Sequence, residues 1–443
     1  MKNHSYRCLE LQEVNVEKIT SSVGAAPVVV AIDVAKTKMV AAIASGAGAP
    51  LAIVKWRQPA QTMEFVSLVK ALGACGRVVT CVMEPTGTYG DALRYQLESV
   101  AVPVHLVSAN HVHDAAEIYD GVPSKHDAKD AAVIAWLHAQ GKTRPWPQRD
   151  EKRRTLRALI TERELYYQPM QRTLNKLGAL LARHFPEADE VFALERQKSA
   201  WAVLSALPSP ARMADDSDET RRILQRASYN NLSREAIERV VIAARTSTGV
   251  PMCDAEQHLL QRFVQEIARC SSECDRVDED IAAVIASEPS WTEMRAVLGA
   301  VTLAVVLAHV GEPASFTSAN ALQKAMGLNL REHSSGNRKG ALHITKRGPG
   351  IVRRYLHFAA MRLIYTHPVA EHWYRQRKQY LAGHHLAALT AVMRKIASSL
   401  IYVARGTPFE ATKLFDARAF PDDIARAPRR RRTMKLVAPM VVV

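Results

Sequence analysis

The sequence predicts a mixed α/β N-terminal domain, two long helices, and a mostly α-helical, strongly basic C-terminal domain. Three observations predict this. Short β-rich runs crowd between residues 27 and 109, two later stretches carry apolar residues at helical spacing, and the excess of positive charge is confined to the last third. The chain has 443 residues, which suits two or three domains, and its 48% apolar and 23% charged residues are those of a soluble globular protein.

Residues 1–24 read as a loose leader. PVVVAID (27–33), KMVAAIA (38–44) and PLAIVKW (50–56) are β-rich runs separated by small turns. A helix is expected at 61–73, a buried strand at VVTCVME (78–84), a helix at 88–99 and a strand at PVHLVSA (103–109). Three neighbouring strands followed by alternating helices and strands predict a mixed sheet, with a hairpin section leading into crossover units. The expected domain covers 25–148.

Residues 149–288 read as a helical linker. Met170, Leu174, Leu177 and Leu181 follow helical spacing, and Leu260, Phe263, Ile267, Cys270, Cys274, Val277, Ile281 and Val284 form a heptad seam. The seam makes Cys270 and Cys274 core knobs rather than metal ligands. Between these helices, residues 186–250 are helical in composition but broken by Pro and Ser. The basic domain spans 289–404, and 405–443 read as a poorly ordered tail that contains the solvated basic run Arg429 to Arg432.

The formal charge is +15. Residues 320–443 hold 23 Lys/Arg against 6 Asp/Glu, whereas the chain before them is nearly neutral. A surplus placed this way favours a polyanionic partner, nucleic acid above all. The six cysteines have neither CxxC pairs nor zinc spacing with histidine and read as reduced thiols. The start, MKNHSYRCLELQEV, has no apolar signal core, and the longest apolar stretch, near Val297 to Val310, is too short to span a bilayer. A cytoplasmic protein without a membrane anchor is expected.

Four acids stand out. Asp33 and Glu84 end apolar strands, and Asp127 and Asp130 share one face of the first turn of a helix in SKHDAKDAAVIAWL. Strand ends and one helix face can gather carboxylates around a hard cation such as Mg²⁺, as phosphoryl-transfer sites do. Each acid also has a plain reading. Asp127 suits a helix start, and Glu84-Pro85 suits a strand end. Asp33, directly after VVVAI, is the hardest to dismiss. In the basic domain, HSSGNRKG holds two hydroxyls and two cations. Gly336 and Gly340 permit close backbone approach to a phosphate, and Arg338, Lys339, Lys346 and Arg347 can neutralise it. The helix that follows continues the basic surface with Arg353 and Arg354. The loop reads either as a phosphate cradle or as a serine nucleophile stabilised by cations.

AIDVAKTK, MEPTGTYG and KHDAKDAAVIA resemble, in order and spacing, the three N-terminal motifs of the DEDD transposases of bacterial insertion sequences, the insertion sequence 110 family. The resemblance implies an RNase H-like domain similar to the Holliday-junction resolvase RuvC. It implies that Asp33, Glu84, Asp127 and Asp130 bind Mg²⁺ (with Mn²⁺ as a substitute), that Thr86, Gly87 and Tyr89 shape the wall beside Glu84, and that Lys125 is the basic residue before the paired acids. FTSANALQKAMGL, REHSSGNRKGALHITKRG and RRYLHFAA resemble the family's second domain, in which a serine before glycine links covalently to DNA. Ser335 is the matching position, with Ser334 beside it. Two departures stand in this domain: Ala300 replaces a glycine in Leu298-Gly299-Ala300, and GLNLREHSSG lacks a proline.

The resemblance further implies a coiled-coil linker, a homodimer or homotetramer, donor and target DNA as partners, a structured guide (bridge) RNA, and a bacterial, nucleoid-associated setting. Three other readings stay open: a RuvC-like nuclease without serine chemistry, a non-catalytic nucleic-acid scaffold, and an actin-like sugar kinase, whose phosphate loop AIDVAKTK also resembles. The absent second phosphate motif and the basic C-terminal third weigh against the kinase.

Overall fold

The structure, a computed structural model, describes residues 6–74, 76–85, 87–124, 126–147, 150–332, 342–416 and 420. The chain divides into two compact units, 1–148 and 149–443.

The first unit runs β1 (Cys8–Glu10), α1 (Val16–Val23), β2 (Val28–Asp33), β3 (Lys38–Ser45), β4 (Pro50–Arg57), α2 (Thr62–Ala74), β5 (Val79–Met83), α3 (Asp91–Ser99), β6 (Val104–Val107), α4 (Ala109–Asp120), α5 (Asp127–Ala139) and β7 (Thr143–Pro145). The seven strands form one sheet in the order β1-β4-β3-β2-β5-β6-β7. β2, β3 and β4 pair antiparallel, whereas β5 and then β6 add parallel to β2. This is the mixed sheet that the alternation predicts. A central strand covered on both faces must be apolar throughout, and Val28–Ile32 is buried at every position.

The period of two along β2 separates the faces. Val28, Val30 and Ile32 pack with α1, α2 and α3, while Val29 and Ala31 pack with α4 and α5. Asp33 is next in the second series, so it points to the α5 side. The same alternation on β5 sends Val79, Cys81 and Met83 to the first face and Val82 to the second, and Glu84 follows Val82 in register.

The loose leader expected over 1–24 is corrected from residue 6 onward, residues 1–5 lying outside the described residues. β1 pairs parallel with β4 at the sheet edge, and Leu11, Ile19 and Val23 join the core beneath α2. Apolar burial pins this segment, although β1 is only three residues long.

The second unit begins with α6 (Glu151–His184), followed by α7 (Ala188–Val191), α8 (Lys198–Ala206), α9 (Pro210–Asp215), α10 (Ser217–Ala227), α11 (Arg234–Arg245) and α12 (Asp254–Ala286). α6 and α12 pack antiparallel, as three ion pairs along their length show: Lys152–Glu288 just past the end of α12 at 2.9 Å, Arg163–Asp278 at 2.5 Å and Arg183–Glu256 at 4.0 Å. The long helices therefore pair within one chain. The α12 seam buries Leu260, Ile267, Cys270, Cys274, Val277 and Ile281 as its spacing predicts. At its ends it drifts to Val264 and Ile285, because a straight helix turns every 3.6 residues rather than 3.5.

α7 to α11 make a separate helical lobe around Trp201, Leu204, Met213 and Leu224, packed on the far halves of α6 and α12. The Pro and Ser residues that obscured this region in the sequence are helix starts. The Ser209 hydroxyl accepts from Arg212 N–H with Pro210 at the first helical position, and Ser233 accepts from Ala236 N–H.

The near halves of α6 and α12 share a core with α13 (Thr292–Leu298), α14 (Ala300–His309), α15 (Ala319–Ala325), β8 (Leu330–Arg331), β9 (His343–Ile344), α16 (Gly350–Thr366), α17 (Pro368–Tyr380), α18 (His385–Ala404) and α19 (Ala411–Leu414). There is thus no sharp linker boundary at 288. α18 is long and apolar enough to cross a membrane, but Leu389, Val392, Ile396 and Leu400 lie in this core. The disordered tail expected from 405 is corrected in part: Ala411, Phe415 and Phe420 are buried in the same core. Arg429 to Arg432 lie outside the described residues.

Candidate functional site

The acid site is built by strand register. β2 and β5 run parallel with Ile32 opposite Met83, so Asp33 and Glu84 stand at the same end of neighbouring strands. Across β3, Asp33 pairs with Val40. Val40 in turn packs against Ala128 and Ala131 of α5, which lie beside Asp127 and Asp130. Small residues at 128 and 131 let the first turn of α5 approach the sheet closely, and that approach brings the paired acids over Asp33.

The electrostatics follow from this placement. The Asp33 carboxyl is pushed up to about 7, first by burial and then by the charges of Asp127, Asp130 and Glu84. A hydrogen bond from the Val34 backbone N–H acts the other way and does not win. All four sequence-predicted acids therefore share one electrostatic neighbourhood. Among the described residues, no three Asp, Glu, His or Cys side chains stand close enough to clasp a single ion as they are placed. The donor set still fits a hard divalent cation, because it consists of carboxylate oxygens whose mutual repulsion a cation would relieve.

Neighbouring groups fix the acid-bearing helix. His126, not Asp127, caps α5: its ring nitrogen accepts from Lys129 N–H at 3.1 Å, and Asp127 occupies the first helical position. Sequence reasoning missed Lys129, which is fully buried. Its ammonium donates to Asp120 at 2.7 Å and to the Val122 carbonyl at 2.5 Å, tying the segment after α4 to the acid-bearing turn. Asp120 also accepts from the Tyr6 hydroxyl at 3.0 Å, and the Tyr6 ring meets His126 edge-on. The available signal was a lysine inside the apolar register of HDAKDAAVIA, where an unpartnered charge is costly. Lys125 and Thr86 lie outside the described residues. Gly87 has φ +58°, and the Tyr89 carbonyl accepts from Gln58 at 2.7 Å.

In the second unit, Ser334, Ser335, Gly336, Arg338, Lys339 and Gly340 lie outside the described residues. Their flanks form an antiparallel pair, Leu330 with Ile344 and Arg331 with His343. At the foot of this ribbon, Lys346 and Arg347 are exposed. Gly348 meets the backbone of the turn after α15 so closely that a Cβ would lie 2.7 Å from Gly327 N. Only glycine permits this contact, which anchors the ribbon to the helical core. Arg353 donates to the Gly348 carbonyl at 2.8 Å and braces the same turn.

Arg354 is placed differently from a free phosphate contact. It pairs with Glu164 and lies over the rings of Tyr167 and Tyr355. Beside it, Arg163 grips Asp278 through two hydrogen bonds and donates to the Tyr355 hydroxyl at 2.8 Å. At the start of the domain, Gly299 takes φ +77° between α13 and α14, so the first glycine of the departed motif serves a bend of 114°.

A family model described as a transposase of the DEDD IS110 type matches residues 30–186, and one described as the IS116/IS110/IS902 transposase family matches residues 296–375. The chain is also similar to an insertion element IS110 uncharacterized 43.6 kDa protein of Streptomyces coelicolor, with 24% identity over 303 residues, covering 67% of this chain and 74% of that protein. The three acid motifs fall inside the first match and the serine loop inside the second, and on these grounds the chain belongs to the IS110 family of DEDD transposases and is a DNA transposase.

Proposed function

We propose that this transposase cuts and rejoins DNA strands with Ser335 as nucleophile and a divalent-metal site made by Asp33, Glu84, Asp127 and Asp130. The observation that carries the proposal is the crowding of three acids on Asp33, whose carboxyl is raised to about 7 by burial first and then by those three charges. A fold gathers like charges at a cost, and in a phosphoryl-transfer protein a bound cation offsets that cost. The strand order supports an RNase H-like reading: three antiparallel strands extended by two parallel ones, with acids at the ends of the first and fourth.

Mg²⁺, or Mn²⁺ in its place, would polarise the scissile phosphate and stabilise the leaving oxygen. The chain's own residues do the rest. Lys129 and His126 hold the acidic turn of α5. Ser335 gives up its proton and forms an Oγ–P bond as a phosphodiester P–O bond breaks, leaving a strand hydroxyl. That hydroxyl, or another, later attacks the same phosphorus to rejoin a strand and release the serine. Arg338, Lys339, Lys346 and Arg347 neutralise the phosphate, and Arg353 braces the turn at Gly348 beside Lys346 and Arg347. Lys125 would contact DNA beside the paired acids. Arg354 would act through its ion pair, setting α16 on α6.

The protein would act as a dimer or tetramer. A guide RNA would supply the target choice that this chain's basic surface does not encode. The α6–α12 pair supports a coiled-coil reading of the linker. The test is a suicide DNA substrate carrying the element ends, with guide RNA added. A covalent protein–DNA adduct is expected from the wild type and none from Ser335→Ala. Cleavage that survives in Ser335→Ala but vanishes in Asp33→Asn would instead support a metal nuclease without serine chemistry.

A further inference from the structure

α15, α17 and α18 enclose a cleft of about 320 Å³, lined by Gln323, Trp373, Arg377, Arg394, Lys395 and Ser398. It belongs to neither the acid site nor the serine loop. Three of its lining residues are cations, and among the described residues no carboxylate lines it. None of the three cations forms an ion pair among the described residues. Arg377 lies over the Tyr380 ring at 4.9 Å. Lys395 sits over Trp373 at 5.1 Å and Phe415 at 5.7 Å, and donates to the Leu414 carbonyl at 2.8 Å. The acid whose charge Lys395 senses is Asp416.

Arg394 is held in place. It donates to Gln323 Oε1 at 3.0 Å, and Gln323 in turn donates to the Arg394 carbonyl and the Ser398 hydroxyl at 3.1 and 2.6 Å. The Arg394 Nε is buried and has no hydrogen-bond partner among the described residues. A desolvated guanidinium with a free donor is costly unless an anion completes it. Burial lowers both Arg394 and Lys395, the response of cations held without enough counter-charge.

We infer that this cleft binds the phosphodiester backbone of a single nucleic-acid strand, one nucleotide at a time. Arg394 and Lys395 would contact a phosphate, Arg377 would guide the strand at the exposed rim, and Trp373 would form an aromatic wall beside a base. The volume fits one nucleotide, and a duplex holds its phosphates on a rigid cylinder that cannot enter so small a cleft. Cations combined with an aromatic wall are how single strands are held without sequence choice. The inference rests on the reading of this chain as a DNA-acting transposase and adds a strand-holding site outside both conserved motifs.

Fluorescence anisotropy with the full chain tests it, using single-stranded DNA, single-stranded RNA and duplex DNA of one sequence. The paired variant R394Q/K395Q should weaken single-strand binding by about tenfold and lower the salt slope by about 0.7, the loss of one phosphate contact. Duplex binding should hold. Arg377→Gln, on the exposed end of α17, spares the core and should weaken single-strand binding less. The polymer that loses affinity, DNA or RNA, identifies the strand. Equal single-strand affinity and salt slope in all three proteins, with folding intact by thermal melt, would overturn the inference. That failure would leave DNA cleavage by the wild type untouched, whereas loss of the transposase reading would appear as no cleavage at all.

Discussion

Two charged clusters in this molecule are built in opposite ways. In the N-terminal sheet, Asp33 lies among Asp127, Asp130 and Glu84, and acid crowds acid. Where α6, α12 and α16 meet, each charge faces its opposite: Arg163 on Asp278, and Arg354 with the Tyr355 hydroxyl on Glu164. Asp33 is pushed up to about 7. Burial pushes Glu164 up too, but the hydrogen bonds from Gln168, Tyr355 and Arg354 outweigh it and hold the carboxyl below its usual range. Both sites are partly buried, so burial does not separate them. The sign of the neighbours does. Matched charge builds the junction of the helical domain, and like charge crowds where the metal site is proposed.

The largest expected effects fall on the crowded cluster and its serine partner. Asp33→Asn should slow metal-dependent DNA cleavage by about a hundredfold or more, the rate equivalent of about 3 kcal/mol. Ser335→Ala should abolish strand exchange while DNA binding persists. Gel-based cleavage and exchange assays read both. An Asp33→Asn protein with wild-type rates would remove the functional meaning of the contrast.

The matched cluster should fail in stability instead. Arg163→Met strands Asp278 in a partly buried site and should cost about 3 kcal/mol. Denaturant unfolding followed by circular dichroism measures it, and a neutral result would mean that the paired charges do not hold the junction.

A subtler effect is opposite pH slopes in metal-free protein. Asp33 keeps its proton in the fold up to about 7, against a usual 3.8. The folded state then binds more protons than the unfolded one between these values, so this group's contribution is lost as pH rises through that window. Glu164 lies below its usual 4.5. Its contribution is full above 4.5 and is lost as pH falls through its folded value. Asp33→Asn should therefore raise the melting temperature at pH 8 and leave it unchanged at pH 4. Glu164→Gln should lower it at pH 8. Matching slopes for the two variants would blur the contrast.

The smallest effect belongs to the exposed cations. Lys346→Ala and Arg347→Ala should each reduce the salt slope of duplex binding by about 0.9. Binding isotherms across a salt series would show it.

Much of this was legible in the sequence because it depends on short-range pattern. The apolar runs that became β2 to β6, the acids after β2 and β5 and the acid pair opening α5 could be read as candidates from alternation and position, with the family resemblance joining them into one site. The α12 seam could be read because its spacing repeats from Leu260 to Val284 with only end drift. What escaped depends on partners distant in the chain. β1 is three residues whose pairing with β4 crosses 45 positions, from Cys8 to Ile53. Lys129 shows its role only when Asp120 and Val122 fold back on it. Arg354 looked like part of a basic surface until Glu164, on another helix, claimed it. The helical lobe was hidden because caps and breakers use the same residues, Ser and Pro.

The central claim is that the four crowded acids form one cation site. Calorimetric titration of Mn²⁺ into the metal-free full chain tests it most directly, comparing the wild type with Asp33→Asn, Glu84→Gln, Asp127→Asn and Asp130→Asn. The account predicts saturable binding that every one of the four substitutions weakens. Binding that stays unchanged in two or more of the variants would contradict it.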